Sequence, residues 1–165
     1  MRTILAIDIG TNTGYAYNDE VRLQFPIGTW KLATDAEIRQ SGKTRMNRRR
    51  DPRVLRFRDY LKSVPWPDII VFEDVQFASS TYQVQLWSAL RATIWLTFPD
   101  NFIDCVPVGT LKKFATGSGS ATKPMMAAAL QRRYRSMWTP HLDDNAVDAA
   151  WLWLWAEKNL SRAKL

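Results

Sequence analysis

The sequence predicts an α/β protein, a mixed five-stranded sheet flanked by helices, and three observations predict it. Two short runs of mostly branched apolar residues, Ile4–Ile9 and Ile69–Phe72, read as buried strands. Extended stretches follow one another before residue 33, which reads as an antiparallel meander. After residue 50, segments with apolar residues at helical spacing alternate with further strands.

Taken in order, residues 3–9 form the first strand, and one carboxylate, Asp8, interrupts its apolar run near the end. A buried carboxylate needs a metal, a hydrogen-bond donor or a cation as partner. Gly10 and Gly14 allow a sharp turn and the close approach of a ligand. Residues 14–18 return as a second strand, and residues 21–32 are extended, with Pro26 marking an edge or bulge. Residues 33–50 are polar and basic. A helix is expected over 52–63, because Val54, Phe57, Leu61 and Val64 recur at helical spacing behind Pro52. Residues 68–75 form a strand that closes on Glu73 and Asp74, which point to opposite faces, so only one can join Asp8. Ser79 or Ser80 caps a helix over 81–97 with so few polar residues that it is buried or lies in an interface. Residues 102–107 are the fifth strand and 108–114 a short helical turn. The loop Thr116–Lys123, rich in glycine and hydroxyls, leads into a helix over 124–134 and is suited to holding a phosphate. The last helix runs from about 142 to 159 and carries Asp144 and Asp148 on one face. Asp143 or Asp144 also suits a cap, but Asp148 falls inside an apolar run. Trp151, Trp153 and Trp155 read as core and interface rather than as a base-stacking platform.

Composition bounds the function. The chain has 165 residues, 46% hydrophobic and 12% aromatic, which suits a single domain over 1–165 and excludes disorder. No run is long enough to span a membrane and no signal peptide is evident, so a cytoplasmic location is expected. Cys105, in an apolar run, is expected to be a buried thiol. With only that cysteine and one histidine, His141, a Cys/His zinc site is not available. The glycine loop lacks the Gly-Lys-Ser/Thr of a nucleotide P-loop, so no nucleotide cofactor is expected. Lys and Arg outnumber Asp and Glu by 23 to 16, giving a net charge of +7 that favours a polyanionic partner. Ten of these bases lie within residues 39–62 against Asp51 and Asp59, and phosphate contact is the preferred reading of that cluster, including Arg48, Arg49 and Arg50.

Asp8, Glu73, Asp144 and Asp148 converge at one sheet edge if the first and fourth strands are neighbours. Four carboxylates without a neutralising base call for hard divalent cations, Mg²⁺ with Mn²⁺ as substitute. Two such ions about 4 Å apart are a known device for phosphodiester cleavage.

These motifs in this order resemble the RuvC family of Holliday-junction resolvases, within the RNase H-like superfold. "ILAIDIGTNTGYAY" resembles the family's first strand and turn, and "IIVFEDV" followed by Phe77 its Glu strand and the aromatic after it. "LKKFATGSGSATK" resembles the lysine–glycine loop, with Lys112 and Lys123 at the family's spacing, and "DDNAVDAAWL" the acidic final helix. The similarity runs from Thr3 to about Ala156 and is weakest over 19–66. The resemblance implies a homodimer that binds four-way junction DNA and nicks two opposed strands, with two divalent ions per active site. Asp8, Glu73 and Asp148 would be metal ligands. Family members commonly place the fourth ligand three residues before the last Asp, here Asn145. Asp144 is better charged and is preferred, with Asp143 and Asn145 left open. Lys112 and Lys123 would contact phosphate and stabilise charge at the cleavage centre, with Lys113 and Ser118 beside them on the DNA. Phe77 would stack on or wedge between junction bases, although a core role fits it nearly as well. The helix 81–97, with Trp87 and Trp95, is the candidate dimer interface.

Other readings share parts of this pattern. Another nuclease of the superfold, acting on RNA or branched DNA, would keep the carboxylates. A non-catalytic junction-binding module would have no need of them. A sugar-kinase or actin-like ATPase also uses an Asp-x-Gly-Thr turn, but it requires a duplicated domain.

Overall fold

The computed structural model describes residues 2–18, 25–41, 51–74 and 80–161. Strand β1 (Ile4–Asp8) turns through Gly10 into β2 (Asn12–Tyr17), and β3 (Ile27–Lys31) follows. The hydroxyl of Thr13 donates to the Gly10 carbonyl at 2.6 Å and closes the first turn. After α1 (Asp35–Ser41) and α2 (Pro52–Ser63), strand β4 (Ile69–Asp74) leads to α3 (Thr81–Thr97) and β5 (Phe102–Pro107). Helices α4 (Val108–Thr116), α5 (Lys123–Arg133) and α6 (Asp144–Asn159) complete the described chain.

The five strands lie in the order β3-β2-β1-β4-β5. β1, β2 and β3 pair antiparallel, which is the expected meander, whereas β4 pairs parallel to both β1 and β5. At its N-terminal end the β1–β4 pair is held by a reciprocal clasp. Thr3 donates its amide to the Asp68 carboxylate at 2.7 Å and its hydroxyl at 3.0 Å, while the Asp68 amide donates back to the Thr3 carbonyl at 2.9 Å.

Strand alternation divides the core into two layers. Ile4, Ala6, Ala16, Ile69, Val71 and Val106 face α6 and its neighbours, and Leu5, Ile7, Ile70 and Phe72 face α2 and α3. Helix α6 is apolar nearly all round because it is enclosed. Trp151 and Trp153 are buried in it and Trp155 is partly buried, so these tryptophans belong to the core. Buried Asn18 ties this layer together: its Oδ1 accepts from the Ile4 amide at 2.7 Å and from Trp153 Nε1 at 3.3 Å.

Helices α2 and α3 begin where their caps dictate. Asp51 accepts from the Arg53 amide at 3.0 Å ahead of Pro52, and Ser80, rather than Ser79, accepts from the Gln83 amide at 3.3 Å. Phe57 and Leu61 are the buried stripe of α2.

Three findings depart from expectation. The polar stretch after residue 33 contains a helix, α1, started by a capping box: Glu37 accepts from the Thr34 amide at 2.7 Å, and Thr34 Oγ1 accepts from the Glu37 amide at 3.2 Å. The basic cluster is also more neutralised than its composition suggests. Arg53 pairs with Asp51 at 2.6 Å, Arg58 with Asp59 at 2.7 Å, and Arg56 grips Glu37 at 2.7 Å and the Leu32 carbonyl at 2.8 Å. Glu37 is held at a pKa of about 2 by its hydrogen bonds to Arg56 and Thr34. Finally, Cys105 is exposed rather than buried. It lies on the edge strand, in register with Phe72, on the side where α3 covers β4 but leaves Cys105 open.

Candidate active site

Register places the two strand carboxylates. Ile7 pairs with Phe72 in the parallel β1–β4 ladder, so Asp8 and Glu73 follow one residue later at the same level. Both share the parity of the residues that face α6, Ile4 and Ala6 on one strand and Ile69 and Val71 on the other. Asp74 takes the opposite face and pairs with Arg91 of α3 at 3.1 Å.

Helix α6 brings Asp148 to them through a contact between backbones. Asp8 pairs with Gly14 on β2, and a Cβ built on Gly14 would stand 1.9 Å from the Asn145 carbonyl oxygen and 2.4 Å from its carbon. The missing side chain at Gly14 thus admits the first turn of α6, not a ligand and not a tight turn as the sequence suggested. Asp143 fixes that turn as the N-cap. Its Oδ1 accepts from the Ala146 amide at 2.9 Å and from the Thr29 hydroxyl of β3 at 2.5 Å. Asp148 then lies one helical turn inside, partly buried.

The three carboxylates act on one another's charge. The pKa of Asp8 is pushed well above its ordinary value by burial and by the charges of Glu73 and Asp148, with Lys123 opposing. Burial and then Asp148 raise Glu73 to about 7, against Lys112 and Lys123. Asp148 is raised to about 6, chiefly by burial, with Lys123 and Lys112 opposing and Asp144 adding to the rise. The two lysines arrive from α4 and from the first residue of α5. Lys123 Nζ also stands 3.6 Å from Asp144, and both side chains are exposed.

Among the described residues, no three or more carboxylate, imidazole or thiol groups are placed so that they could together hold a metal ion. The donor chemistry is that of a hard divalent cation's ligands: largely desolvated carboxylates repelling one another, opposed among the described residues by Lys112 and Lys123.

Of the other expected residues, Lys113 is exposed on the last turn of α4, and its carbonyl accepts from the Gly117 amide at 2.8 Å. Gly117 closes that helix in the left-handed region at φ 87°, and Ser118 beyond it lies 3.1 Å from the Ser120 hydroxyl, oxygen to oxygen. Phe77, Arg48, Arg49 and Arg50 lie outside the described residues. The structural roles of Thr29 and Asn145 escaped the sequence reading. Pairing of β2 with β3 and the close approach at Gly14 place them here, and neither has a local sequence signal.

No protein-family model matches the sequence, and no curated protein matches it. Solved structures do match. The chain is similar to Thermus thermophilus RuvC in complex with a Holliday junction substrate, with a TM-score of 0.68 and 13% identity over 93% of this chain and 92% of that one. This is the RuvC fold. A further Thermus thermophilus RuvC structure matches at a TM-score of 0.61 with 16% identity, over 94% of this chain and 95% of that one. The yeast mitochondrial Holliday junction resolvase Ydc2 matches at 0.55 with 12% identity, over 90% of this chain and 75% of that one. The fold is thus shared at identities of 12 to 16%.

Proposed function

We propose that this chain is a metal-dependent, structure-selective endodeoxyribonuclease that resolves four-way DNA junctions by paired, symmetric nicks. The observation that carries the proposal is the meeting of Asp8, Glu73 and Asp148 on the α6 side of a RuvC-type sheet, flanked by Lys112 and Lys123. In this reading residues 1–165 form one nuclease domain, acting on DNA in the cytoplasm. Asp8, Glu73 and Asp148 would hold Mg²⁺, or Mn²⁺ in its place, with Asp144 as the fourth ligand for two ions per site. Such ions would supply Lewis acidity for activating water and for balancing charge on the phosphoryl oxygens.

The chain's own residues do the rest. Lys123 exchanges Asp144 for the scissile phosphate, and Lys112 approaches from the opposite helix to balance the growing negative charge. The loop through Ser118, with Lys113 beside it, contacts the adjoining backbone. Two copies join through α3, whose Tyr82, Val84, Trp95 and Leu96 are exposed large apolar residues, Leu96 at 83%. An open groove of about 270 Å³ between α2 and α3 adjoins Leu96 and is lined by Val54, Leu55 and Thr93 together with the basic Arg58 and Lys62.

The test is a nicking assay in Mg²⁺ on a synthetic four-way junction, beside linear duplex, a flap and an RNA–DNA hybrid. Paired nicks confined to the junction are expected, and Asp8→Asn abolishes them while leaving junction binding intact. Cleavage of the hybrid or flap alone would move the protein to another branch of the superfold. Tight junction binding without cleavage would make it a binding module.

A further inference from the structure

We infer that the solvent side of α5 is a second DNA-backbone site, in which Arg132 and Arg135 hold phosphates of the duplex arm leading away from the nick. The inference rests on the junction-nuclease reading and adds to it a contact remote from the carboxylates. It begins with a contrast among the arginines. Arg53, Arg56 and Arg58 are tied to Asp51, Glu37 and Asp59. Arg133 donates to the Ala115 carbonyl at 2.9 Å and lies over the Trp151 ring at 5.3 Å, so it serves the core. Arg132 and Arg135 are exposed, and among the described residues neither has a carboxylate partner.

These two arginines line an open depression of about 270 Å³ with Ala128 and Gln131. One small side chain and three hydrogen-bond donors line it and no acid does, which suits a phosphodiester approaching closely. The favourable effect of bases on a helix C-terminus accounts for Arg132, but not for Arg135, which stands beyond the end of α5. The same helix starts at Lys123, in the active site. With about 1.5 Å of rise per residue, Arg132 lies roughly 13 Å along the axis from Lys123. Nine residues are about 2.5 helical turns, so Arg132 leaves the other side of α5 from Lys123, and at about 3.4 Å of rise per step the phosphates it reaches lie about four steps or more from the scissile one. One helix thereby carries both the lysine at the reacting phosphate and a contact farther along the arm.

The test compares the wild-type chain with the exposed-site variant Arg132→Gln/Arg135→Gln, by anisotropy over a salt series on the four-way junction and on plain duplex. The slope of log affinity against log salt should fall by about 1.8, since each phosphate contact contributes about 0.9. The nicking rate at saturating protein should stay unchanged. A neutral methylphosphonate placed about four steps from the nick should weaken the wild type and leave the variant indifferent. An unchanged slope, or equal sensitivity of both proteins to the methylphosphonate, overturns the inference while the junction-nuclease reading stands. A slope difference on duplex in a protein that nicks no junction would keep the phosphate site and remove that reading. A variant that binds DNA like the wild type but loses binding to an acidic protein would assign the patch to that partner instead.

Discussion

The contact at Gly14 makes the sharpest demand on the sequence. In Gly14→Ala the new Cβ would stand 1.9 Å from the Asn145 oxygen, 2.4 Å from its carbon and 3.2 Å from the Ala146 nitrogen. All three atoms are backbone, so no rotamer change relieves the overlap. A tolerable contact requires α6 to retreat from β2 by about 1 Å, and overpacking of this kind costs about 1–3 kcal/mol. For a chain of this size that lowers Tm by about 2–12 °C. Asp148 rides on the displaced helix while Asp8 and Glu73 stay on the sheet, and a misplacement of about 1 Å can cost about 100-fold in rate. Junction binding, which draws on many phosphate contacts, should change far less. Single-turnover nicking, anisotropy and a thermal melt on the same preparation check this. Gly109→Ala is the control: a Cβ there meets nothing within 4 Å, so Tm should not fall. A Gly14→Ala protein with wild-type Tm and nicking rate would refute both the close approach and its role in assembling the site.

Three further predictions concern the site and its surroundings. The raised pKa values make the metal-free protein less stable as pH rises: native Glu73, near 7, binds more protons than the unfolded residue at an ordinary 4.5, so its stabilising contribution is full below about pH 4.5 and lost through pH 7. Glu73→Gln should therefore be more stable than wild type at pH 8, by on the order of 3 kcal/mol, and the difference should shrink toward pH 5; a gap constant with pH would contradict the assignment. Lys123→Ala should slow nicking about 100-fold while weakening junction binding much less, and equal losses in the two assays would make Lys123 a phosphate anchor only. If two copies join through α3 as proposed, Trp95→Glu/Leu96→Glu should leave a folded monomer in sedimentation, and an oligomeric state equal to that of the wild type would contradict the proposed contact.

The strands and long helices were legible because their signals are local. Pro52 with Val54, Phe57 and Leu61 set the limits of α2, and Ser80 set the start of α3. The parity of Glu73 and Asp74 was legible too, but which of them joins Asp8 depends on the β1–β4 register, a property of two distant segments. Helix α1 was missed despite its Thr34-x-x-Glu37 box, because seven mostly polar residues lack an apolar period and depend on Arg56 of α2 for their anchor. Cys105 was misjudged because an apolar neighbourhood in sequence says nothing about whether a strand is central or at an edge. Gly14 was recognised as necessary for the wrong reason: chemistry shows that a side chain is absent, but only the packing shows what takes its place.

The clasp between Thr3 and Asp68 acts as an origin from which the candidate site is measured. Asp8 follows Thr3 by five residues, and Glu73 follows Asp68 by the same number. Two parallel strands started from one knot and run for equal counts must deliver Asp8 and Glu73 side by side, about 16 Å away at the usual rise per residue. Adding one residue to either run would turn its acid to the wrong face of the sheet, as any slip by one does. Length, more than composition, is what these two segments have to preserve. Their apolar residues can be exchanged for others of similar size, whereas an insertion or deletion in either has no neutral form.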